Sequence, residues 1–250
     1  MAHPLYQDSI IAFVDILGWS ELLRTNRLHD ILLAVHFIEA AAQGGRDRRN
    51  LFKKNRWSGG SKTRVSYFSD TVVLSCPSES LEAGWMISEV QSLCLGLLGF
   101  GRYTRGAIVR GNLRHRKTIL FGPALVDAHE IEKSVAKYPR LVVTSEAAPF
   151  VNAATHPRDH PRPTDPQWSR DADGLMFLEL FSRRSDGLRL DYHQVTARAL
   201  LDRIQGELLL ETNLIYAANH GWMVRYLESV IAAQARDTNT PKRGSPSGSR

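Results

Sequence analysis

Two aspartates stand where predicted strands end, and carboxylates in such positions are suited to binding divalent cations. Asp15 closes an apolar run, residues 9–14, that predicts a buried strand, and a helix is predicted from about Ser20. Asp70 follows Ser69 between two β-prone runs, a pattern typical of a hairpin turn. If the two strand ends meet, their carboxylates can share a pair of metal ions.

The segment between Asp15 and the predicted helix is a second candidate binding element. Residues 16–20 contain Gly18 and lead directly into the helix. The first N–H groups of a helix have no intrahelical partner and the helix dipole is positive there, so such a turn can hold phosphate groups. Together with the two aspartates, this segment predicts a site for a metal–triphosphate complex.

The composition is typical of a globular protein without a membrane anchor. Of the 250 residues 43% are hydrophobic. No apolar stretch reaches the roughly 18 residues that a bilayer span requires. The N-terminal residues lack the basic-then-apolar layout of a signal peptide, which favours a cytoplasmic protein with no membrane partner. Cys76 and Cys94 form neither a metal-ligand spacing nor a disulfide framework.

The positive charge of the chain is unevenly spread. The formal net charge is +6, and the basic residues concentrate in the segment 46–56 and in the tail, at Lys242, Arg243 and Arg250. A solvated loop and a disordered tail account for this pattern. Nucleic-acid binding is an alternative that rests on charge alone, because the chain has no aromatic stacking series or known binding motif. No stable nucleic-acid partner is therefore expected.

The pattern of apolar residues predicts an α+β fold with a ferredoxin-like βαββαβ core, in which an antiparallel sheet carries helices on one face. The helix from residue 20 is predicted to end at Gly44-Gly45, and residues 111–117 are predicted to form a turn. The predicted elements are strand 10–15, helix 20–42, strands 64–68 and 71–75, helix 79–98, strands 103–109 and 118–121, helix 124–136 and strand 140–144.

The rest of the chain is predicted to form an extension of this core. Residues 153–173 are predicted to be a long loop or insertion, 174–181 a strand, and 194–235 helical, in two pieces around Gly206 and Gly221. The domain prediction is thus a catalytic core at 1–150. An insertion loop, a strand and C-terminal helices packed on the core follow at 151–236, and a disordered tail at 237–250.

Four segments together resemble the class III nucleotidyl cyclases. Residues 13–20, Phe-Val-Asp-Ile-Leu-Gly-Trp-Ser, resemble the metal-binding element of that family, and the segment around Phe68-Ser-Asp70-Thr resembles its hairpin. Arg105-Gly-Ala-Ile and the segment from Gly122 resemble the strand and helix that follow. The order and spacing hold over residues 9–145. The combination is most similar to the pyrimidine cyclases of Pycsar antiphage defence.

The resemblance implies a chemistry for these residues. A nucleoside triphosphate binds with two Mg²⁺ or Mn²⁺ ions, its 3′-hydroxyl attacks the α-phosphorus, and pyrophosphate leaves. Asp15 and Asp70 are implied to hold both ions, with the Ile16 carbonyl completing the shell. The backbone N–H groups of the segment after Asp15 are implied to bind the β- and γ-phosphates, and this segment comprises Ile16, Leu17, Gly18, Trp19 and Ser20.

The chain departs from the family at two positions that stabilise the transition state. The family's asparagine and arginine fall on Val126 and Glu130, which cannot donate to a phosphate. Either the enzyme is inactive, or another cation takes their place. Arg105 is the first candidate because its planar fork suits a phosphate, ahead of Arg114, Arg116 and Lys117. The alternative for Arg105 is a structural ion pair with a helix carboxylate.

The residues that read the base also differ. The purine-reading positions of the family fall on Ser66 and Ile119, so neither the adenine-reading nor the guanine-reading pair is present. This loss favours a pyrimidine. Ser66 can donate or accept a hydrogen bond, so it does not distinguish uracil from cytosine. UTP is expected as the substrate ahead of CTP because we expect uridylate cyclases to be the commoner relatives.

The leading hypothesis is a uridylate cyclase that makes a 3′,5′-cyclic monophosphate as an antiviral second messenger for a separate effector protein. The resemblance implies a homodimer with shared active sites. The metal aspartates come from one protomer, and the Arg105 and Ser66 regions come partly from the other. A non-catalytic, cyclase-like domain that binds a nucleotide and regulates a partner is the alternative. Loss of the asparagine and arginine favours it, and retention of both aspartates opposes it.

Overall fold

The computed structural model describes residues 5–25, 28–54, 63–152, 168–181 and 196–239. They divide into two compact units, residues 1–182 and 183–250. In chain order the elements are β1 (Gln7–Ile16), α1 (Trp19–Arg24), α2 (Leu28–Lys54), β2 (Arg64–Phe68), β3 (Thr71–Pro77), α3 (Ser80–Gly99), β4 (Thr104–Arg116), β5 (Ile119–Phe121), α4 (Pro123–Ser134), β6 (Leu141–Val143), α5 (Ala148–Asn152), β7 (Trp168–Arg170), β8 (Met176–Leu178), α6 (Ala197–Leu210) and α7 (Leu214–Asn239).

The ferredoxin-like prediction is confirmed in the first unit. The first four strands lie in the order β2-β3-β1-β4 and every neighbouring pair among them is antiparallel. This is the order that two interlocked βαβ crossovers produce, because each crossover leaves room for one strand between its own two. The sheet continues with β6, which is parallel to β4, and then with β8 and β7.

Strand β1 is buried on both faces of the sheet, which explains why its sequence is a continuous apolar run. Its even-numbered residues, such as Ile10 and Val14, pack in the cluster that includes side chains of α2 and α3. Its odd-numbered residues Ile11 and Phe13 pack with Ala124 and Ala128 of α4. Helices therefore cover both faces, which corrects the expectation of helices on one face only.

Two boundaries differ from the sequence prediction for identifiable reasons. The predicted helix 20–42 is two helices, and α2 continues through Gly44-Gly45 to Lys54, because glycine weakens a helix without ending it. Strand β4 runs to Arg116, so the turn predicted at 111–117 is wrong. Inward side chains continue at Leu113 and His115, which keeps that segment in the sheet.

A buried arginine ties β6 to the hairpin of β7 and β8. Arg140, 2% exposed, makes ion pairs with Asp171 and Asp173 in the turn that joins these strands. Paired burial of this kind fixes one geometry, because an unpaired guanidinium would be costly inside the protein. Of the predicted loop 153–173, residues 153–167 lie outside the described residues.

The second unit contains the helices α6 and α7. Thr196 caps α6, since its hydroxyl accepts the Ala199 N–H at 3.1 Å. Residues 211–213 are not helical and separate α6 from α7. Neither Gly206 nor Gly221 interrupts a helix. Helix α7 runs to Asn239, beyond the predicted end at residue 235, and the rest of the predicted tail lies outside the described residues. No helix within the described part of the chain is long and apolar enough to span a bilayer.

Candidate active site

The structure brings Asp15 and Asp70 to one edge of the sheet. Asp15 is the penultimate residue of β1, and Asp70 lies in the two-residue turn between β2 and β3. The Ile16 N–H donates to the Asp70 carbonyl at 2.8 Å, which joins the two strand ends. Ser69 adopts a φ of 54°, as two-residue hairpin turns require of a central residue. Local turn chemistry therefore holds Asp70 beside the end of β1.

Arg105 lies beside Asp15 on the neighbouring strand. The two residues pair across β1 and β4, and the Arg105 Nη2 is 3.4 Å from the Asp15 Oδ2. Both belong to the same chain, and a contribution of the Arg105 region to the site of an opposite protomer stays a prediction. Sequence reasoning could not detect the pair, because it depends on the register between two strands separated by ninety residues.

A third carboxylate, Glu132, holds the other side of the Arg105 guanidinium. Arg105 donates from Nε to the Glu132 Oε1 at 2.8 Å, and its Nη2 lies 2.5 Å from the same oxygen. Glu132 is on α4 and only 7% exposed. The structural ion pair with a helix carboxylate, the alternative for Arg105, is thus present, and a role of Arg105 toward a phosphate stays a prediction.

Glu132 is a site residue that the sequence prediction missed. Its spacing in the sequence could have indicated a buried position. Residues 124, 128 and 132 lie on one face of a helix, and the first two are alanines packed on the sheet. A glutamate on a buried face needs a partner there. His129, one turn earlier, adds a weaker contact, with its Nδ1 3.8 Å from the Glu132 Oε2.

The carboxyl group of Asp15 is in an unfavourable electrostatic environment. Burial, which has the largest effect, and the charges of Glu132 and Asp70 together raise its pKa, and the net value is about 6. Arg105 opposes these effects through its charge and its hydrogen bond without cancelling them. An additional cation beside Asp15 would relieve this repulsion, because an opposite charge at short range favours the ionised carboxylate.

The donor set at this edge fits Mg²⁺ or Mn²⁺. Carboxylate oxygens are hard donors, and Mg²⁺ is commonly held by one or two carboxylates together with water and substrate phosphates. No group of three or more His, Cys, Asp or Glu side chains placed to hold a metal occurs within the described residues. The binding of an ion by the side chains of Asp15 and Asp70 stays a prediction.

Fewer backbone amides of the predicted phosphate-binding segment are available in the structure than the sequence predicts. The N–H of Ile16 donates to Asp70 and that of Leu17 donates to the Tyr103 carbonyl at 2.9 Å, so these two amides cannot bind phosphate. This corrects the assignment of Ile16 and Leu17 as phosphate donors. Gly18 turns the chain with a φ of 78°, and α1 begins at Trp19. The amides of Gly18, Trp19 and Ser20 are those that the prediction retains.

Ser66, the predicted base-reading residue, is engaged with a buried histidine. Its hydroxyl is 2.8 Å from the His115 Nε2, and the Ser75 hydroxyl is 2.7 Å from the His115 Nδ1. Burial and the charge of Arg64 lower the pKa of His115 to about 4, so its ring is neutral near pH 7. Ile119, at the second base-reading position, is exposed on β5. The sequence prediction missed His115, whose signal is the continued alternation along β4.

Comparisons with known proteins find structural likeness only. No family model and no curated protein sequence matches this chain. The catalytic core of a rhodopsin-guanylyl cyclase with converted specificity, in complex with ATPαS, is similar over 58% of this chain and 81% of its own. It is 10% identical, with a TM-score of 0.40.

A second similar structure is a class III adenylyl cyclase-like ATP-binding protein from Pseudomonas aeruginosa. It is also 10% identical and covers 58% of this chain, with a TM-score of 0.36. This chain spans 35% of its length. At such scores, the case for a function rests on the residues of the site itself.

Proposed function

We propose that this chain is a nucleotidyl cyclase whose active site lies at the edge formed by Asp15 and Asp70. The observation that carries the proposal is the meeting of these two aspartates at paired strand ends of a ferredoxin-like sheet, through the hydrogen bond from Ile16 to Asp70. The raised pKa of Asp15 supports it, because a site built to bind cations gathers carboxylates that repel one another in their absence.

The reaction is an intramolecular phosphoryl transfer. The substrate's 3′-oxygen forms a bond to the α-phosphorus while the bond from that phosphorus to the pyrophosphate oxygen breaks, and the hydroxyl proton leaves to solvent or a nearby base. Two Mn²⁺ or Mg²⁺ ions, when bound by Asp15, Asp70 and the Ile16 carbonyl, supply activation of the hydroxyl and neutralisation of the leaving group. The amides of residues 18–20 orient the β- and γ-phosphates.

Arg105 is the cation that this chain offers to the transition state. Its guanidinium already lies beside Asp15, and its five donors can contact a phosphate while one edge stays on Glu132. In this proposal Glu132 is a positioning residue, because it fixes the direction of the fork. The side chains at the family's usual positions, Val126 and Glu130, take no part.

The substrate in this proposal is a pyrimidine nucleotide, with UTP ahead of CTP. Ser66 and Ile119 replace both purine-reading pairs of the family that the sequence resembles. Ser66 is half-buried and hydrogen-bonded to a neutral His115, so it presents a polar but uncharged group to a base. A pocket without a matching donor or acceptor for a purine edge discriminates against purines, since mismatched polar groups stay unpaired.

The proposed enzyme is a homodimer, and its cyclic-nucleotide product is the messenger for a separate effector protein in an antiviral response. Large apolar side chains are exposed on β2, β5 and α4, which supports an interface that involves these elements: Tyr67, Phe68, Ile119, Phe121 and Val126, each between 40% and 58% exposed. A two-fold dimer buries the same surface of both protomers, and exposed apolar side chains are suited to such burial. Both the dimer and the separate effector protein belong to the proposal.

A non-catalytic nucleotide-binding domain is the second candidate. The close ion pair between Arg105 and Glu132 favours it, because a guanidinium held by a buried carboxylate is less available to a transition state. In that case the protein binds a nucleotide at Asp15 and Asp70 and regulates a partner without catalysing a reaction.

An assay with the four nucleoside triphosphates at equal concentration in the presence of Mn²⁺ separates these candidates. The proposal predicts pyrophosphate and a 3′,5′-cyclic monophosphate, formed fastest from UTP, then CTP, with far less from ATP or GTP. Binding of a nucleotide without product would favour the regulatory domain. Preference for a purine would overturn the pyrimidine assignment and retain the cyclase.

A further inference from the structure

The corner between α6 and α7 exposes four large apolar side chains, and we call these four residues the helical corner. Leu209 and Leu210 end α6, Leu214 and Ile215 begin α7, and between 73% and 86% of each residue is exposed. They are the most exposed large apolar residues of the described part of the chain. A single exposed leucine is ordinary, but a contiguous group of this kind marks an interaction surface.

The turn that carries these side chains is held by its own hydrogen bonds. The Glu211 carboxylate accepts the Asn213 N–H at 2.7 Å, and the Asn213 Oδ1 accepts the N–H groups of Ile215 and Tyr216 at 2.9 and 3.4 Å. Asn213 thus caps the start of α7. The apolar side chains are therefore presented to solvent by a formed turn, which suits a surface for a partner.

The helical corner has acidic surroundings, although the whole chain has a net charge of +6. Between Arg203 and Arg225 the chain contains Glu207 and Glu211 and neither lysine nor arginine. The carboxylates of these glutamates lie 3.6 Å from Arg203 and 3.9 Å from His220, and a carboxylate can accept further hydrogen bonds. An anionic membrane surface would repel them, so the corner fits a basic protein surface better than a bilayer.

The hairpin of β4 and β5 presents a face on which basic and apolar side chains alternate. Arg114 pairs with Phe121 and Arg116 pairs with Ile119, so these four residues lie on the face opposite to the buried His115. Ile119 and Phe121 are 53% and 40% exposed. We call these four residues the hairpin surface.

No acidic residue within the hairpin offsets its positive charge. The segment between Arg110 and Asp127 contains neither aspartate nor glutamate. Arg116 and Lys117, at the tip of the hairpin, are exposed, and neither makes an ion pair or a side-chain hydrogen bond within the described residues. Cations beside apolar side chains complement the helical corner, where carboxylates lie beside apolar side chains.

We propose that the helical corner of one protomer docks on the hairpin surface of a second copy of this chain, and that a two-fold axis repeats the contact. The apolar side chains of the two surfaces are buried together, and the carboxylates of Glu207 and Glu211 face Arg116 and Lys117. The proposal rests on the homodimer of the proposed function and names two of the surfaces that form it.

The area available favours a closed dimer over a single contact. At roughly 100 Å² of apolar surface for each exposed side chain, the helical corner offers roughly 400 Å², the size of the largest apolar patch on a typical monomer. One contact, which covers a similar area of both surfaces, buries roughly 800 Å² in total, the size of a weak or adventitious contact. Two contacts related by a two-fold axis bury roughly 1,600 Å², the size of a standard stable interface.

The first test is sedimentation velocity of the full chain over a range of concentrations, without metal or nucleotide. A chain with Leu210→Gln and Leu214→Gln is expected to have a dimer dissociation constant at least about a hundredfold above that of the wild type, because the closed dimer loses four buried leucines. The matched control carries Leu28→Gln and Leu32→Gln, two exposed leucines of α2 that belong to neither surface, and is expected to dimerise like the wild type. Circular dichroism checks that both chains fold.

The second test reverses charges and identifies the docking partner. A chain with Glu207→Lys and Glu211→Lys, and a second chain with Arg116→Glu and Lys117→Glu, are each expected to dimerise weakly alone, because like charges meet at both contacts. When they are mixed, with one chain fluorescently labelled, both contacts of the mixed dimer join opposite charges. We therefore expect heterodimers to form at concentrations at which neither chain dimerises alone. Glu228→Lys, at an exposed position of α7 outside the corner, is the control for the added charge.

Three results would overturn the proposal. They are wild-type dimerisation of the leucine variant, failure of the charge-reversed chains to form heterodimers, and a wild-type chain that stays monomeric. Binding of a monomeric wild-type chain to phosphatidylcholine vesicles, lost in the leucine variant, would assign the helical corner to a membrane instead. A dimer that persists without the corner would leave the homodimer of the proposed function in place, and the assay with the four triphosphates tests the cyclase activity separately.

Discussion

Two titratable groups of the central sheet, Asp15 on β1 and His115 on β4, are held in opposite ways. Near the end of β1, Asp15 lies among two further carboxylates and one guanidinium, and burial and then repulsion raise its pKa. On β4, the neutral imidazole of His115 is fully hydrogen-bonded between two serines. The first arrangement is electrostatically incomplete and invites a cation, whereas the second is complete as it stands. This difference, rather than burial, marks the Asp15 edge as the catalytic candidate.

The two groups also respond oppositely to pH. The pKa of Asp15 is raised from 3.8 to about 6, so ionised Asp15 destabilises the fold above pH 6, and this cost disappears as the pH falls toward 3.8. The pKa of His115 is lowered from 6.5 to about 4, so its cost is absent above pH 6.5 and grows as the pH falls toward 4. Each shift of about two units corresponds to about 3 kcal/mol.

The largest expected effect is on catalysis at the Asp15 edge. Asp70→Asn keeps the shape of the turn residue but removes one charge from the proposed cation pair. We expect turnover to fall by about a hundredfold or more, since metal stabilisation of this kind is worth several kcal/mol. Asp8→Asn is the matched control, because Asp8 is an exposed carboxylate on β1, the strand that also carries Asp15, and is paired with Arg110. Near-wild-type activity of Asp70→Asn with Mn²⁺ would defeat the assignment.

A second prediction isolates the effect of His115 protonation on stability by replacing Asp15, whose protonation affects stability in the opposite direction. In the Asp15→Asn background, the free energy of unfolding is expected to fall by about 3 kcal/mol between pH 6.5 and pH 4, because the unfolded histidine takes up a proton that the folded one refuses. Adding His115→Gln should flatten that part of the profile. Denaturant unfolding across this pH range measures both, and an equal slope with and without His115 would show that its protonation is not linked to folding.

A third prediction concerns the stability cost of Asp15 itself. Asp15→Asn is expected to raise the free energy of unfolding at pH 7.5 by about 1–3 kcal/mol without metal, because it removes a repelled charge while retaining a polar side chain. The gain should shrink as the pH falls toward 3.8. Destabilisation at neutral pH would mean that the ion pair with Arg105 outweighs the repulsion from Asp70 and Glu132.

The smallest expected effect is at the C-terminus. Residues 240–250 follow the end of α7 and carry proline, serine, glycine and basic residues without apolar periodicity. Their removal is expected to leave the thermal midpoint and turnover unchanged, as is common for termini without a packed apolar face. A lower midpoint or slower turnover in the truncated chain would show that the segment contributes to the fold or the site.

The sequence predicted those features that depend on local pattern. The apolar run before Asp15, the hairpin at Ser69-Asp70 and the strand order follow from periodicity and turn chemistry, and all appear in the structure. The pairing of Arg105 with Asp15 and Glu132 depends on strand register and on which face α4 covers. Neither is encoded in a short window, so the polar network around Asp15 could not be derived from sequence.

The hydrogen bonds made by the backbone amides of Ile16 and Leu17 could not be predicted for a similar reason. A turn before a helix offers donors in general, but here the carbonyl groups of Asp70 and Tyr103 accept the N–H groups of Ile16 and Leu17. His115 was hidden because glycine and basic residues along 111–117 resemble a turn, although the strand's alternation continues through them. In both cases tertiary contacts overrode the local signal.

The central claim, that the Asp15 edge is built for divalent cations and a triphosphate, is tested most directly by the protonation of Asp15. Carboxyl-carbon NMR of aspartate-labelled protein gives its pKa with and without Mg²⁺ and UTP. The account predicts a pKa of about 6 in the free protein and a fall below the ordinary 3.8 when Mg²⁺ and UTP are present, with little change in Asp70→Asn. A pKa of Asp15 that stays unchanged on addition of Mg²⁺ and UTP would contradict it.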